Sequence, residues 1–427
     1  MKFKPYYGWW IVVAAAVGQA VSPGPVAFYS IGVLMKPLAQ TYGWDRAQIS
    51  LIATILTVSI FAMMPFIGAA IDRVGPKKVL MPSLIGFGLA LAATGFARSL
   101  LAFYAMYVVI GIVCAGANSV AYMRVLATWF DRRRGLAIGA ASAGMGVGFA
   151  LIPAYTQLLI DHGGLRIAFL GLGALILLVG APVVATLLKD RPRDDQIPVT
   201  EFAHPRGTVV FEELPGVTAR EAMRMPQFWA LLSAFLLVAG AIFAMALHFV
   251  SAIRDIDPLH DRSILAAALL GMSATLGRLF SGYLYDKLFV PYVAAGIFSC
   301  GATGILLLAM RLSYPWPLVA ALLIGYCSGT EGDALAMLCS RYFGVREYGR
   351  IYGHAFSATL VGISVIPYLM GLGYEHFHRY TEVEFALAAL LSLAAMVVIS
   401  LGPFPSYQSP VMPHARMGEL TPGQIGS

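Results

Sequence analysis

The chain has 427 residues, 59% of them hydrophobic and only 12% charged, with a mean hydropathy of +0.76. Soluble domains carry about 25% charged residues, so these figures exclude a water-soluble globule, a nucleic-acid binder and a disordered chain. The net charge of +7 then fits loops rich in Lys and Arg on one side of a membrane rather than an acidic macromolecular partner.

A membrane-spanning helix needs about 20 largely apolar residues. Taken from the N terminus, apolar runs between charged or turn-rich breaks predict spans over 9–34, 48–70, 79–97, 101–127, 136–160, 165–188, 226–250, 263–284, 290–310, 316–340, 351–372 and 383–401. Lys2 and Lys4 precede an apolar run far longer than the core of a signal peptide, so the first run reads as a span. The fold class expected is an all-α membrane protein: twelve transmembrane helices in two pseudo-symmetric six-helix halves, both termini on one side. Residues 1–188 form the N-terminal half and 226–403 the C-terminal half. Between them lies a polar linker, 189–225, which contains Arg191-Pro192-Arg193-Asp194-Asp195, and a tail covers 404–427. With both termini placed in the cytoplasm, 19 of the 29 basic residues fall inside and 8 outside, leaving Arg124 and Arg278 within spans. The positive-inside bias therefore favours cytoplasmic termini. Loops too short for sugar modification fit a multi-pass protein of a cell inner membrane. The four cysteines (Cys114, Cys300, Cys327, Cys339) fall in apolar runs without CxxC spacing or a Cys/His cluster. Inert buried thiols are expected, with no metal and no cofactor.

The halves repeat at an offset of 214 residues. Gly68, Asp72 and Arg73 map onto Gly282, Asp286 and Lys287; Gly135 and Gly139 map onto Gly349 and Gly353; Gly148 and Pro153 map onto Gly362 and Pro367. With a slip of one residue, Trp129-Phe130 matches Tyr342-Phe343. Six helices repeated in parallel orientation is the plan of transporters whose halves rock about a midplane site.

The stretch GAAIDRVGPKK, Gly68 to Lys78, resembles the loop signature of the major facilitator superfamily. In local terms, a small residue admits a neighbouring helix, the carboxylate pairs across the halves and the basic residues hold a tight turn. A gating role is expected for Gly68, Asp72, Arg73 and Arg124, and for their echoes Gly282 and Asp286. Three further stretches, WFDRRRGLAIGAASAGMGVG (Trp129 to Gly148), GRLFSGYLYDK (Gly277 to Lys287) and SRYFGVREYGRIYG (Ser340 to Gly353), resemble the monocarboxylate and oxalate/formate transporter branch of that superfamily. The resemblance runs over most of the chain, excluding the linker and the tail.

Arg278 lies about two turns from Asp286, inside an apolar run. An arginine at the bilayer centre costs about 2.5–3.5 kcal/mol on insertion scales and normally faces a cavity or a partner. Its planar guanidinium grips a carboxylate bidentately and stays charged, and the resemblance aligns it with the branch's carboxylate-binding arginine. His248 is a lone imidazole in AMALHFV, at a position where the branch places a cavity histidine, suited to carry a proton or to hydrogen-bond a substrate. Asn118 and Tyr122 are one helical turn apart, and Tyr29 follows the Ser22-Pro23-Gly24-Pro25 break; all three are candidates to line the site. Glu331 and Asp333, two carboxylates within one span, are candidates for proton coupling with His248. Two residues apart, they point to different faces, so one can pair with Arg124 or Arg278 while the other titrates. The sequence departs from the branch at Ala274, where animal monocarboxylate carriers have an Asp, at Tyr29, where they have a Lys, and at Ala355, beside His354, where the oxalate exchangers carry a second cation.

The reading that follows is a secondary active transporter of small organic monocarboxylates resembling lactate or pyruvate, working by proton-coupled symport and alternating access. Its partners would be the carboxylate, a proton and the lipid bilayer, with no nucleic acid, in a monomer. The alternatives are a carboxylate exchanger and, less well supported, a drug or metabolite exporter, whose usual Gly-Pro pair is absent from the fifth span. The tail after Pro403 is too short for a signalling domain. No nucleotide loop or nucleophile–base pair points to an enzyme.

Overall fold

The computed structural model describes residues 6–191, 215–256, 260–377 and 379–405. The central linker segment and most of the tail lie outside the described residues. The described chain is helical, with strand-like pairing only at an isolated bridge between Gly216 and Gly344.

Twelve spans are present among the described residues. The first, α1 (Gly8–Tyr42), is continuous through a π-helical turn at Gly24–Tyr29, where Pro23 and Pro25 offer no N–H to a regular ladder. A capping box between Asp45 and Gln48 starts α2 (Arg46–Val74), which stops at Gly75, φ +96°. Next come α3 (Pro76–Thr94), with proline in its first turn, and α4 (Leu100–Trp129), capped by Ser99. Helical geometry then runs from Arg134 to Leu187, broken at Gly164, whose φ of +69° and ψ of −169° suit only glycine. That break separates α5 (134–163) from α6 (165–187). The remaining spans are α7 (Pro226–Ile256), α8 (His260–Lys287), α9 (Val290–Ala309), α10 (Trp316–Tyr342), α11 (Tyr348–Phe377) and α12 (Thr381–Ile399).

Packing follows the sequence repeat. In the first six helices, α1 packs on α5, α2 on α4 and α3 on α6; in the last six, α7 packs on α11, α8 on α10 and α9 on α12. The two sets meet through α2 against α11 and α5 against α8. Glycines permit these approaches. A Cβ on Gly68 would overlap the carbonyl of Gly349, and one on Gly282 would meet the carbonyl of Gly135 at 2.6 Å. Side chains such as Phe66, Leu101, Leu151 and Leu178 are exposed on the outer surface, the arrangement of helices surrounded by lipid. The protein is a multi-pass membrane protein.

Candidate functional site

Arg278 sits on α8, nine residues or about 13 Å from the Lys287 end, with its backbone carbonyl against Gly139 of α5. Its Nη1 donates to Asp333 Oδ1 of α10 at 3.4 Å, and both side chains are largely buried. Glu331 shares the electrostatic neighbourhood of Arg278 and Asp333, and no donor among the described residues reaches its Oε2. Ser142 of α5 stands beside the Asp333 carboxylate, and the buried Tyr352 of α11 lies near the same cluster. One guanidinium is thus paired with one carboxylate and feels a second nearby, at the meeting of α5, α8, α10 and α11. The predicted pairing of one carboxylate with a span arginine is present, and Asp333 makes it.

Other expected site residues are distributed differently. Tyr29 is 47% exposed and packs its ring at a tilt against Phe149 of α5, centroids 4.4 Å apart. One turn further along α5, Gly146 approaches Thr275, itself one turn from Arg278, so Tyr29 stands above the cluster rather than within it. Asn118 and Tyr122 do not lie on an unbroken helix. A 3-10 turn at Ala115–Ala117 interrupts α4, leaving Asn118 as an extended N-cap whose amide reaches Ala115 O at 3.4 Å. At this turn α3 comes close, and only glycine fits at 116, where a Cβ would overlap Ser83. Tyr122 is fully buried with its hydroxyl against Gly18 of α1, so it faces packing and not a cavity. His248 lies well along α7 from Arg278's level, its Nδ1 3.4 Å from the Tyr380 hydroxyl at the start of α12.

The gating candidates gather at the other end of α8. Asp72 accepts from the backbone N–H of Gly349 and Arg350 at 2.9 and 2.7 Å, and Asp286 accepts from those of Gly135 and Leu136 at 2.7 and 2.9 Å. Each carboxylate therefore caps the first turn of a helix in the opposite half, where free N–H groups and the helix dipole favour negative charge. Arg124 is buried, with Nε 3.6 Å from Asp72 and Nη2 donating to Arg346 O; it is no snorkelling side chain. Arg73, by contrast, is exposed and makes no ion pair among the described residues. Apart from Ser142 beside Asp333, the described polar links between the two sets of six helices all lie at this end.

Several participants escaped the sequence reading. Arg134 is buried and donates to the carbonyls of Phe130 and Ala127 and to Ser340 Oγ, while Arg341 reaches Asp131 at 3.2 Å across the halves. Within the run Arg132-Arg133-Arg134 nothing marks the third residue as buried. The segment before α7 is stitched to the loop before α11: Val217 N donates to Phe343 O, Val345 N to Pro215 O, and Ala219 N to Glu347. Alongside, outside the spans, hydrogen bonds from Thr218 hold the Glu221 carboxyl below the usual range.

Comparison with known proteins agrees with this architecture. The sequence profile of the Major Facilitator Superfamily matches residues 15–367. Among curated relatives, monocarboxylate transporter 13 of Bos taurus is 27% identical over 95% of this chain and 91% of its own. The Fujikurins efflux protein of Gibberella fujikuroi is 25% identical over 82% of this chain and 72% of its own. Among solved structures, FucP in its outward conformation superposes with a TM-score of 0.71 at 13% identity, covering 92% of this chain and 99% of that one. The proton:xylose symporter XylE gives the same TM-score at 12% identity, over 93% and 96%.

Proposed function

The chain belongs to the major facilitator superfamily, and from that premise we propose that it carries a small organic monocarboxylate of the lactate or pyruvate type across the membrane together with a proton. The observation that carries this reading is the buried pair Arg278–Asp333 with Glu331 beside it. Arg278 would bind the substrate carboxylate bidentately in place of Asp333. Charge counting then ties binding to protons. With both acids ionised the cluster already holds one negative charge in excess, and an incoming carboxylate would add another. In a low-dielectric site that excess is costly, so Asp333, released from Arg278, would take up a proton as the substrate binds. Glu331 would serve as a second proton acceptor. Tyr29 would shape the approach to the site, and His248 would relay protons from the Tyr380 end.

In this scheme residues 1–188 and 226–403 rock as two bodies joined by the 189–225 linker. Asp72, Arg124 and Asp286, with Gly68 and Gly282 at the crossings, would latch the cytoplasmic end, leaving the site open to the outside. Both termini would lie in the cytoplasm, in a cell inner membrane. The relative named as an efflux protein supports a second reading, export of an organic anion by the same site.

The test is uptake of labelled L-lactate into proteoliposomes under an imposed inward proton gradient, with empty vesicles and Arg278→Ala as controls. Gradient-driven uptake that disappears in the variant is the expected result. Uptake that ignores the gradient but requires internal counter-carboxylate would replace symport with exchange. No uptake of lactate, pyruvate or related acids in either direction would overturn the monocarboxylate reading.

A further inference from the structure

At the latched end, the residues before α5 and the ends of α8 and α10 enclose a cavity of about 680 Å³. Its wall carries four cations, Arg132, Arg133, Lys287 and Arg341, against two carboxylates, Asp131 and Asp286. Both carboxylates are already engaged. Asp286 caps the first turn of α5, and Asp131 is shared by Arg134 and Arg341. Arg132 and Arg133 are exposed and make no hydrogen bond or ion pair among the described residues. Among the described residues, Lys287 has only the ring of Tyr283 beneath it, at 5.9 Å. The cavity thus presents three uncommitted cations, two from the N-terminal half and one from the C-terminal half.

Three converging cations match a phosphate group, which accepts several charge-assisted hydrogen bonds at once. Tyr283 lines the cavity beside Lys287, and Leu288 and Tyr292, on the α8–α9 turn that follows directly in the chain, are exposed with it. A charged hollow at the end of the spans, edged by exposed apolar side chains, is the setting in which basic pockets between transmembrane helices take lipid headgroups. We propose that this cavity binds the phosphate headgroup of an anionic phospholipid, which bridges Arg132 and Arg133 to Lys287 and so favours the latched state. A free phosphate would satisfy the same cations but leave the apolar flank uncovered.

The experiment is native mass spectrometry of the purified full-length protein in neutral detergent, titrated separately with phosphatidylglycerol, phosphatidylcholine and inorganic phosphate. Phosphatidylglycerol is expected to bind saturably, and phosphatidylcholine and inorganic phosphate far more weakly. Each basic residue near the surface contributes roughly a factor of five to binding an anionic lipid. The triple variant Arg132→Gln/Arg133→Gln/Lys287→Gln should therefore bind about a hundredfold more weakly, while Lys78→Gln, a charge removed outside the cavity, should bind as wild type. Thermal unfolding in the same detergent should rise with phosphatidylglycerol for wild type and not for the triple variant. Should that variant not fold, Arg132→Lys/Arg133→Lys, which keeps the charge, must retain binding, and the single Lys287→Gln must weaken it. Equal binding by wild type and triple variant, or no preference for phosphatidylglycerol over phosphatidylcholine, overturns the proposal. Inorganic phosphate binding as tightly as the lipid overturns the lipid as occupant.

Discussion

Arg278 and Asp333 hold each other in a setting where neither is stable alone. Removing one partner of a buried ion pair costs about 3–5 kcal/mol, because the survivor is left charged and uncompensated. Arg278→Ala strands Asp333 beside Glu331, so that variant should lose several kcal/mol of stability as well as transport. Arg278→Ala/Asp333→Ala removes the stranded charge and should recover most of the stability, with transport still absent. Thermal unfolding of the three proteins, read beside uptake, separates a binding role for Arg278 from a structural one. If the double variant is no more stable than the single, the pair is not coupled as drawn. Asp333→Asn sends the opposite signal: it keeps the shape and frees Arg278 from a competing charge. We expect counterflow of substrate to survive in Asp333→Asn while accumulation driven by a proton gradient is lost. An unchanged gradient response would move the coupling to Glu331. An arginine inside an apolar run declares itself in the sequence, and so do two acids in one span. Which acid pairs with Arg278 does not, since helical phase puts them on different faces without saying which face meets α8. Ser142 was illegible for a simpler reason: serine is common in small-residue helix faces, and only the fold brings it to Asp333.

At the scale of elements, the crossings of α2 with α11 and of α5 with α8 rest on glycine pairs with backbone against backbone. Gly68 meets Gly349 and Gly282 meets Gly135. A valine at Gly68 or Gly282 has only main-chain atoms to displace, so the helices must separate by an ångström or more. Overpacking of this kind typically costs 1–3 kcal/mol, and under the proposed rocking it falls on an interface made in one state only. Gly68→Val and Gly282→Val should therefore fold and insert, yet protect the latched end poorly from protease. A fully protected variant would show that the crossing is not tight. The repeat at offset 214 made these positions visible before any coordinates, because a shared glycine at equivalent helix crossings survives as a pattern. The interruption of α4 left no such trace. The run Ala115-Gly116-Ala117-Asn118 is apolar enough to read as uninterrupted helix, and the close neighbours Ser83 and Val79 on α3 belong to a distant part of the chain. The interruption leaves Asn118 at an N-cap and Tyr122 packed on Gly18, so the two do not share one face looking into a cavity.

For the whole molecule, the proposed latches are two aspartate caps of like geometry, and their strength would set how often the end opens. Each carboxylate serves two backbone N–H groups at the start of a helix, and a charge so placed contributes about 0.3–2 kcal/mol. Asparagine keeps the shape and one acceptor but loses that charge, so each single variant should raise the open population about 2- to 30-fold, at 1.4 kcal/mol per factor of ten. Asp72→Asn should exceed Asp286→Asn, because it also deprives the buried Arg124 of its carboxylate partner. With the latches in different interfaces, the double variant should approach the product of the two factors. Ser142 offers the reporter. It is buried, roughly 12 Å into α5 from Arg134, and a cysteine there is reached from the latched end only when the halves part. In a Cys300→Ser background, where Cys114, Cys327 and Cys339 remain buried, the rate at which a membrane-impermeant maleimide supplied only to the latched face labels Ser142→Cys tracks the open fraction. We expect slow labelling with both aspartates present, faster labelling in each single variant, and the fastest in the double. Rates that stay level across the series would mean that packing, not the caps, holds this end shut.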